Sequence, residues 1–337
     1  MSDNIADIGY VRAMRVHDLT GPDDMRLDQV APQSPTANEV RVRVYAAAVN
    51  FPDLLMTKGE YQFKPEPPFS PGLEVSGEVL ECGPDVEGYA PGDRVIARTL
   101  TLFPGFIEEV VIPEDYLFHI PDAMDYDSAA ALFITYHTSY NALIEKAQLQ
   151  KGETLVVHGA AGGVGLAAVQ IGLAVGARVI ATAGSDEKAE FLKREGVHEV
   201  INYSTEDIRT RIKELTDGVG CDVVLDPVGG AAFKASVRSL APGGRLLVVG
   251  FTSGGIETVP ANIILIKEIS VIGIRAGEHC KRHPNAMHKA VSQLLEWYRE
   301  GKIAPRIAKS FPLERTADAV KALQDRSVVG KVIVEMQ

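Results

Sequence analysis

The sequence predicts a two-domain α/β protein: an irregular antiparallel β domain joined to a doubly wound parallel sheet of six strands. Three observations predict it. From Val11 to about Gly105 the chain is β-rich and punctuated by Pro and Gly clusters. Thr154–Gly176 reads as a short apolar strand, a glycine turn and a small-residue helix. From there strand and helix patterns alternate to about Ile274, the rhythm of stacked βαβ units.

In the first domain, Glu39–Ala46 alternates apolar and polar residues as a half-buried strand does. Gly77–Glu81, Asp93–Ala97, Phe106–Ile112 and Tyr116–Ile120 read as further short strands, and Asp127–Lys146 as a helix leading onward. In the second domain the predicted strands are Thr154–Val157, Arg178–Thr182, Glu199–Ile201, Asp222–Asp226, Arg245–Val249 and Ser270–Ile274. The helices between them are Leu166–Val175, Asp186–Glu195, Glu206–Thr216 and Ala231–Ser239. Gly196 and Gly218 stand where helix C-termini favour glycine. A loop at Ala276–Asn285 and a long helix at Pro284–Glu300 follow. Then come Arg306–Phe311, a helix at Glu314–Gln324 and a closing strand at Lys331–Val334 that return to the first domain. The expected division is 1–134 with 276–337, against 135–275.

Bulk properties exclude some classes of partner. Of 337 residues, 46% are hydrophobic and 23% charged, an ordinary globular balance. A net charge of −11 repels phosphate backbones and argues against nucleic acid. No apolar run approaches the roughly 20 residues of a membrane span. The N-terminus has no apolar export core. Cys82, Cys221 and Cys280 stand far apart, as reduced thiols of a cytoplasmic protein do. Glu278-His279-Cys280 with His283 and His288 has no common zinc spacing and reads as a polar loop. Tyr298 and Lys302 have the Tyr-x-x-x-Lys spacing of a short-chain dehydrogenase, but Gly301 interrupts them and they follow the sheet.

Gly159–Gly165 carries the first functional reading. Ala160, Gly162, Gly163 and Val164 form a turn at a helix N-terminus, where a dinucleotide pyrophosphate can approach backbone N–H groups. An enzyme using NAD places an acid at the tip of the next strand, to bind the ribose 2′-hydroxyl. Here the tip is Thr182-Ala183-Gly184-Ser185, and the first acid, Asp186, lies inside the following helix. Ser185 and Lys188 instead supply the donors and positive charge that a 2′-phosphate needs. Phe251, Ile274 and Arg275 follow the last two strands, at the sheet edge where the cofactor is expected.

Pro71-Gly72-Leu73-Glu74-Val75-Ser76-Gly77-Glu78-Val79, then Gly92-Asp93-Arg94-Val95, resembles the catalytic-domain signature of the medium-chain dehydrogenases/reductases. Val156–Gly165, Val49-Asn50-Phe51-Pro52-Asp53 and Gly330-Lys331-Val332 extend the resemblance over nearly the whole chain. Within that superfamily it is most similar to the zinc-independent quinone oxidoreductase (zeta-crystallin-like) branch, which enoyl reductases share. The resemblance implies a GroES-like catalytic domain and a Rossmann domain. Asn50 and Leu73 stand where the zinc alcohol dehydrogenases place a Cys and a His, and cannot together hold Zn²⁺, so no metal is expected. Tyr203 matches the family's adenosine-site tyrosine and Arg326 a family arginine that reaches the 2′-phosphate. Together these imply NADPH. The resemblance also places Asn50, Tyr61 and Thr135 around the nicotinamide, in a cleft between the domains. Asn50 would bond the cofactor ribose or a substrate oxygen, Thr135 the carboxamide. Tyr61 would donate a proton or hydrogen bond, or only cover the pocket. Asp53 reads as a structural bond to backbone.

The expected reaction is hydride transfer from NADPH to a quinone. Enoyl-thioester or enone reduction is the alternative, and a non-catalytic NADPH-binding protein a further one. Glu268–Ile274, an apolar edge strand, implies a homodimer, as in relatives.

Overall fold

The computed structural model describes residues 9–99, 104–324 and 328–336. It divides into two compact units, Met1–Ile134 with Pro305–Gln337, and Thr135–Ala304. The segment 276–304 therefore groups with the second unit, not the first. Helix Pro284–Arg299 shows why. Its buried residues Met287, Ala290, Val291, Leu294 and Leu295 follow helical spacing and make one apolar stripe. Trp297 tilts against Tyr140 of the same unit, with ring centroids 5.8 Å apart.

The first unit opens with β1 (Val11–Val16) and β2 (Met25–Val30), an antiparallel pair. β3 (Glu39–Val49), β4 (Glu74–Cys82), β5 (Arg94–Arg98), β6 (Glu109–Pro113) and β7 (Leu117–His119) follow, joined by antiparallel pairing. β3 alternates as expected as far as Tyr45, then is buried on both faces from Ala46 to Val49. There Ala46 and Ala48 cluster with Ala130, Ala131 and Ile333; only small side chains leave room for a covering helix. Three elements escaped the sequence reading. Two are β1 and β2. The other is helix Phe51–Thr57, whose start is tied by the Asn50 N–H donating to the Asp53 carboxylate at 2.7 Å and the Asp53 N–H to the Asn50 backbone oxygen at 2.9 Å.

The second unit holds β8 (Thr154–Val157), β9 (Arg178–Ala183), β10 (Glu199–Asn202), β11 (Cys221–Asp226), β12 (Leu240–Val248) and β13 (Ser270–Gly273). Every pair is parallel and the order is β10-β9-β8-β11-β12-β13, a doubly wound sheet. Its central strands β8, β9 and β11 are near-continuous buried runs, as in a sheet covered on both faces. Val156, Ile180, Ile201, Val224 and Leu246 make the centre, with Ile212, Phe233 and Val237 packed on it. Gly196 and Gly218 end their helices at φ 87° and 81°, as expected.

Three stretches differ from expectation. The helix expected over 127–146 is three pieces, Tyr126–Ala130, Phe133–Tyr140 and a π-helical Asn141–Lys146. The loop expected at 276–285 begins as helix Ala276–Arg282, because Ala276 and Cys280, one turn apart, are both buried. Ala261–Lys267 is a further helix, ahead of an edge strand that starts only at Ser270. The chain then returns as β14 (Ile307–Pro312) and β15 (Lys331–Glu335). β15 pairs with β3, bringing Val332 opposite Val49. The first unit's larger sheet thus runs β14-β15-β3-β4-β5-β7, with β6 also on β3. Among the described residues no helix is long and apolar enough to cross a membrane.

Candidate active site

β8 has β9 on one side and β11 on the other, so the chain leaves the sheet's carboxyl edge where strand order reverses. Open α/β sheets bind ligands in the crevice at that point. Gly159 sits at φ 57°, left-handed backbone that glycine adopts without steric cost. Its carbonyl oxygen accepts the Gly162 N–H at 2.9 Å and closes the turn. A Cβ on Gly165 would collide with that same carbonyl, so the first helical turn lies directly on the loop backbone.

Gly162 caps helix Gly163–Ala174 without any side-chain hydrogen bond. The first helical bond comes from Leu166 N–H to Gly162 O, at 2.8 Å. The N–H groups of Gly163, Val164 and Gly165 precede it and are left to an anion, with the helix dipole behind them. A Cβ on Gly162 would meet only the Gly159 oxygen, at 3.4 Å, so the space beside the turn is open. These residues fit a dinucleotide pyrophosphate. Ala160 contributes differently: it is buried and its N–H bonds Thr182 O at 3.3 Å.

The adjoining strand ends lead to Gly184. A Cβ there would run into the phenol of Tyr203, which lies exposed over the glycine. Ser185 caps its helix by accepting the Lys188 N–H at 3.3 Å; the hydroxyl hydrogen remains to donate. The Asp186 carboxylate, the first acid after the strand, accepts from Asn202 Nδ2 at 2.7 Å. Ser185 and Lys188 thus follow the tip of β9 and Tyr203 the tip of β10, with the Tyr203 phenol over Gly184. At the other end of the same edge, Phe251 is exposed after β12. Ile274 is buried, its N–H on Val248 O at 2.9 Å. Arg275 is exposed, 3.7 Å from Glu278. Thr135 is buried in helix Phe133–Tyr140. Arg326 lies outside the described residues.

In the first unit Asn50 is buried at the end of β3, and its amide is almost fully engaged. Nδ2 donates to Ala48 O at 3.1 Å and Glu74 Oε1 at 2.9 Å; Oδ1 accepts Lys331 Nζ at 2.7 Å. One Oδ1 lone pair is left, so Asn50 can accept a further bond but has no hydrogen to give. Lys331 also donates to Val49 O and to Glu74 Oε1, both at 3.0 Å. Glu74 Oε2 accepts the Ile134 N–H at 2.6 Å. Asp53 bonds backbone, accepting the N–H of Asn50 at 2.7 Å and of Gly72 at 3.0 Å. Burial pushes its carboxyl up to about 7, against those bonds and Lys331. Tyr61 is half-buried in the bend after Gly59.

Sequence reasoning quoted Glu74 and Lys331 within motifs but assigned them no part in this network. A signal was present at Lys331, a charge directly ahead of the apolar run Val332-Ile333-Val334, whereas Glu74 stands in a strand that also carries Glu78 and Glu81. It also passed over His158, fully buried at the end of β8. Ser236 spends its proton on Ala232 O, so His158 Nε2–H donates to Ser236 Oγ at 2.7 Å and Nδ1 accepts from Thr182. Burial holds that imidazole below its ordinary pKa, against the pull of Asp226. His158 is therefore a neutral brace between β9 and helix Gly230–Ser239.

Among the described residues no three His, Cys, Asp or Glu side chains gather as a metal-ion site. An amide committed to a carboxylate and an ammonium at position 50 and an aliphatic side chain at position 73 offer no thiolate or imidazole donor. His279 and Cys280 after β13 have other partners. His279 Nε2 lies 3.3 Å from Glu145, and Cys280 Sγ 3.4 Å from His137 Nε2.

Comparison with known proteins agrees with this fold. Residues 36–122 match the family model described as "Alcohol dehydrogenase GroES-like domain", and residues 163–297 that described as "Zinc-binding dehydrogenase". The chain is 40% identical over 309 residues to quinone oxidoreductase-like protein 2 homolog of Nematostella vectensis, covering 91% of this chain and 84% of that one. Its fold matches the quinone oxidoreductase of Pseudomonas syringae pv. Tomato DC3000 with a TM-score of 0.89, 32% identity and coverage of 97% and 100%. It matches CurK enoyl reductase with a TM-score of 0.88, 29% identity and coverage of 97% and 99%.

Proposed function

The chain belongs to the medium-chain dehydrogenase/reductase superfamily, in its zinc-independent quinone oxidoreductase branch, and from that premise we propose that it reduces a quinone with NADPH. It is an oxidoreductase that uses a nicotinamide cofactor and a small-molecule substrate. The observation that carries the choice of NADPH is the tip of β9. The strand ends without an acid, Asp186 is held by Asn202, Tyr203 covers Gly184, and Ser185 and Lys188 open the helix that follows. A 2′-phosphate needs that set of donors, and a free 2′-hydroxyl does not.

Bound at the glycine turn, the cofactor supplies the hydride. Gly163, Val164 and Gly165 hold its pyrophosphate, and Thr135 its carboxamide. Phe251, Ile274 and Arg275 line the nicotinamide end of the sheet edge. Asn50 accepts a ribose hydroxyl on its remaining lone pair. Tyr61 gives a hydrogen bond or proton to the oxygen that gains charge as hydride arrives. With Asn50 and Leu73 in place of metal ligands, the acceptor must carry its own electron sink, as a quinone does. An enoyl thioester does so too, and the likeness to CurK enoyl reductase keeps that as a second reading.

Absorbance at 340 nm tests both. NADPH oxidation with 1,4-benzoquinone but not with a crotonyl thioester is expected; the reverse selects the second reading. NADH bound as tightly as NADPH, with Lys188→Ala leaving the ratio unchanged, would overturn the cofactor choice.

A homodimer across β13 completes the proposal, in the cytoplasm. β13 has one neighbour in its sheet, and Val271 is exposed on it. Leu265 and Ile266 on the preceding helix are 78% and 75% exposed, an apolar edge that a second copy would cover. Light scattering that reports a monomer overturns it.

A further inference from the structure

We propose that Lys331 is a positioning residue of the reductase site: it fixes which end of the Asn50 carboxamide is offered to a ligand. This assignment rests on the reading above, in which Asn50 accepts a cofactor hydroxyl.

An amide side chain has two nearly isosteric ends of opposite character, and a half-turn about its last bond exchanges acceptor for donor. At Asn50 two charged groups forbid that exchange. Lys331 carries only hydrogens to give and stands 2.7 Å from Oδ1. Glu74 Oε1 accepts and stands 2.9 Å from Nδ2. A flipped amide would set N–H against ammonium and oxygen against carboxylate. The two charges also meet each other, at 3.0 Å, with both side chains nearly or wholly out of solvent. Every Lys331 hydrogen has an acceptor, since Val49 O takes the third. A buried pair is stable only when satisfied in this way. Its members come from three places, the end of β3, the start of β4 and the start of β15, so the strand that closes the chain orients a side chain 281 residues upstream.

The test is a double-mutant cycle on Lys331 and Asn50, read in kcat and in KM for NADPH. Lys331→Met is expected to raise that KM or lower kcat by on the order of tenfold to a hundredfold, the scale of a displaced positioning group. In an Asn50→Ala background the same change should have almost no kinetic effect. Lys331→Arg, which keeps a charged donor, should recover most of the loss. An equal effect with and without Asn50 overturns the proposal, whatever happens to Tm. Because Lys331→Met strands the Glu74 charge, Lys331→Met/Glu74→Gln serves if the single variant does not fold. A crystal structure of that variant reads the proposal without turnover. An Asn50 carboxamide found flipped or displaced supports it; one found unmoved overturns it. Wild-type protein inactive with every acceptor, alongside a displaced Asn50 in the variant, would sink the reductase reading and leave the positioning role intact.

Discussion

The glycine turn after β8 and the Asn50–Glu74–Lys331 network are two ways of building a polar site. The turn uses backbone. Its shape comes from glycines within seven residues, and its polarity from helical N–H groups that have no acceptor of their own. The network uses side chains. Its members lie 24 and 281 positions from Asn50, and each is satisfied only because the others are present. The first is a local motif that a fold carries; the second exists only once the fold has formed. They should therefore fail differently when disturbed.

The largest expected effect is in the network. Glu74→Ala leaves the Lys331 ammonium buried without its counter-charge. It should cost about 3–5 kcal/mol of stability, the scale of a broken buried pair, measured by urea unfolding. A loss under 1 kcal/mol would show the network to be looser than its distances imply. Gly165→Ala should cost less, about 1–3 kcal/mol, because overpacking can be partly relieved by backbone shifts. Its cofactor affinity should nonetheless fall more than tenfold, since the turn that holds the pyrophosphate must move. Unchanged NADPH titration in this variant would mean that the turn tolerates a displaced helix.

Asp53 offers a pH test of the first unit. Its carboxyl is pushed up to about 7 in the folded chain, from an ordinary value near 3.8. The folded state therefore binds the proton more tightly, so stability falls as pH rises from about 4 and levels off above about 7. Unfolding free energies of Asp53→Asn against the parent should lose that slope; a parallel pH profile would remove Asp53 as its source. Gly184→Ala is the smallest expected effect. The new methyl group meets the free end of the Tyr203 side chain, which can swing into solvent. Stability should change within about 0.5 kcal/mol, while NADPH binding weakens a fewfold if Tyr203 packs on the adenosine.

Much of the second unit was legible in the sequence because its signals are local. Strand, glycine turn and helix follow one another, and φ-positive glycines mark the helix ends at Gly196 and Gly218. The acid-free tip of β9 could be read from Thr182-Ala183-Gly184-Ser185. What escaped were elements whose formation depends on partners. Helix Ala276–Arg282 looked like a polar loop because its burial rests on Ala276 and Cys280 alone. Residues 276–304 read as part of the returning segment, but one apolar helical face packs them into the second unit. Helix Phe51–Thr57 was hidden by Pro52, which a first turn accepts because that N–H has no helical acceptor.

The sequence by itself determined the alternation of elements, the dinucleotide turn and the absence of thiolate or imidazole at positions 50 and 73. Each depends on residue type and near-neighbour spacing. Only the tertiary structure decided what Asn50 can do. Its side chain could donate or accept as far as composition goes. The sheet brings a carboxylate to its nitrogen and an ammonium to its oxygen, leaving one lone pair. Hydrogen-bonding direction is a property of the pairing, and pairing across 281 residues is set by the fold.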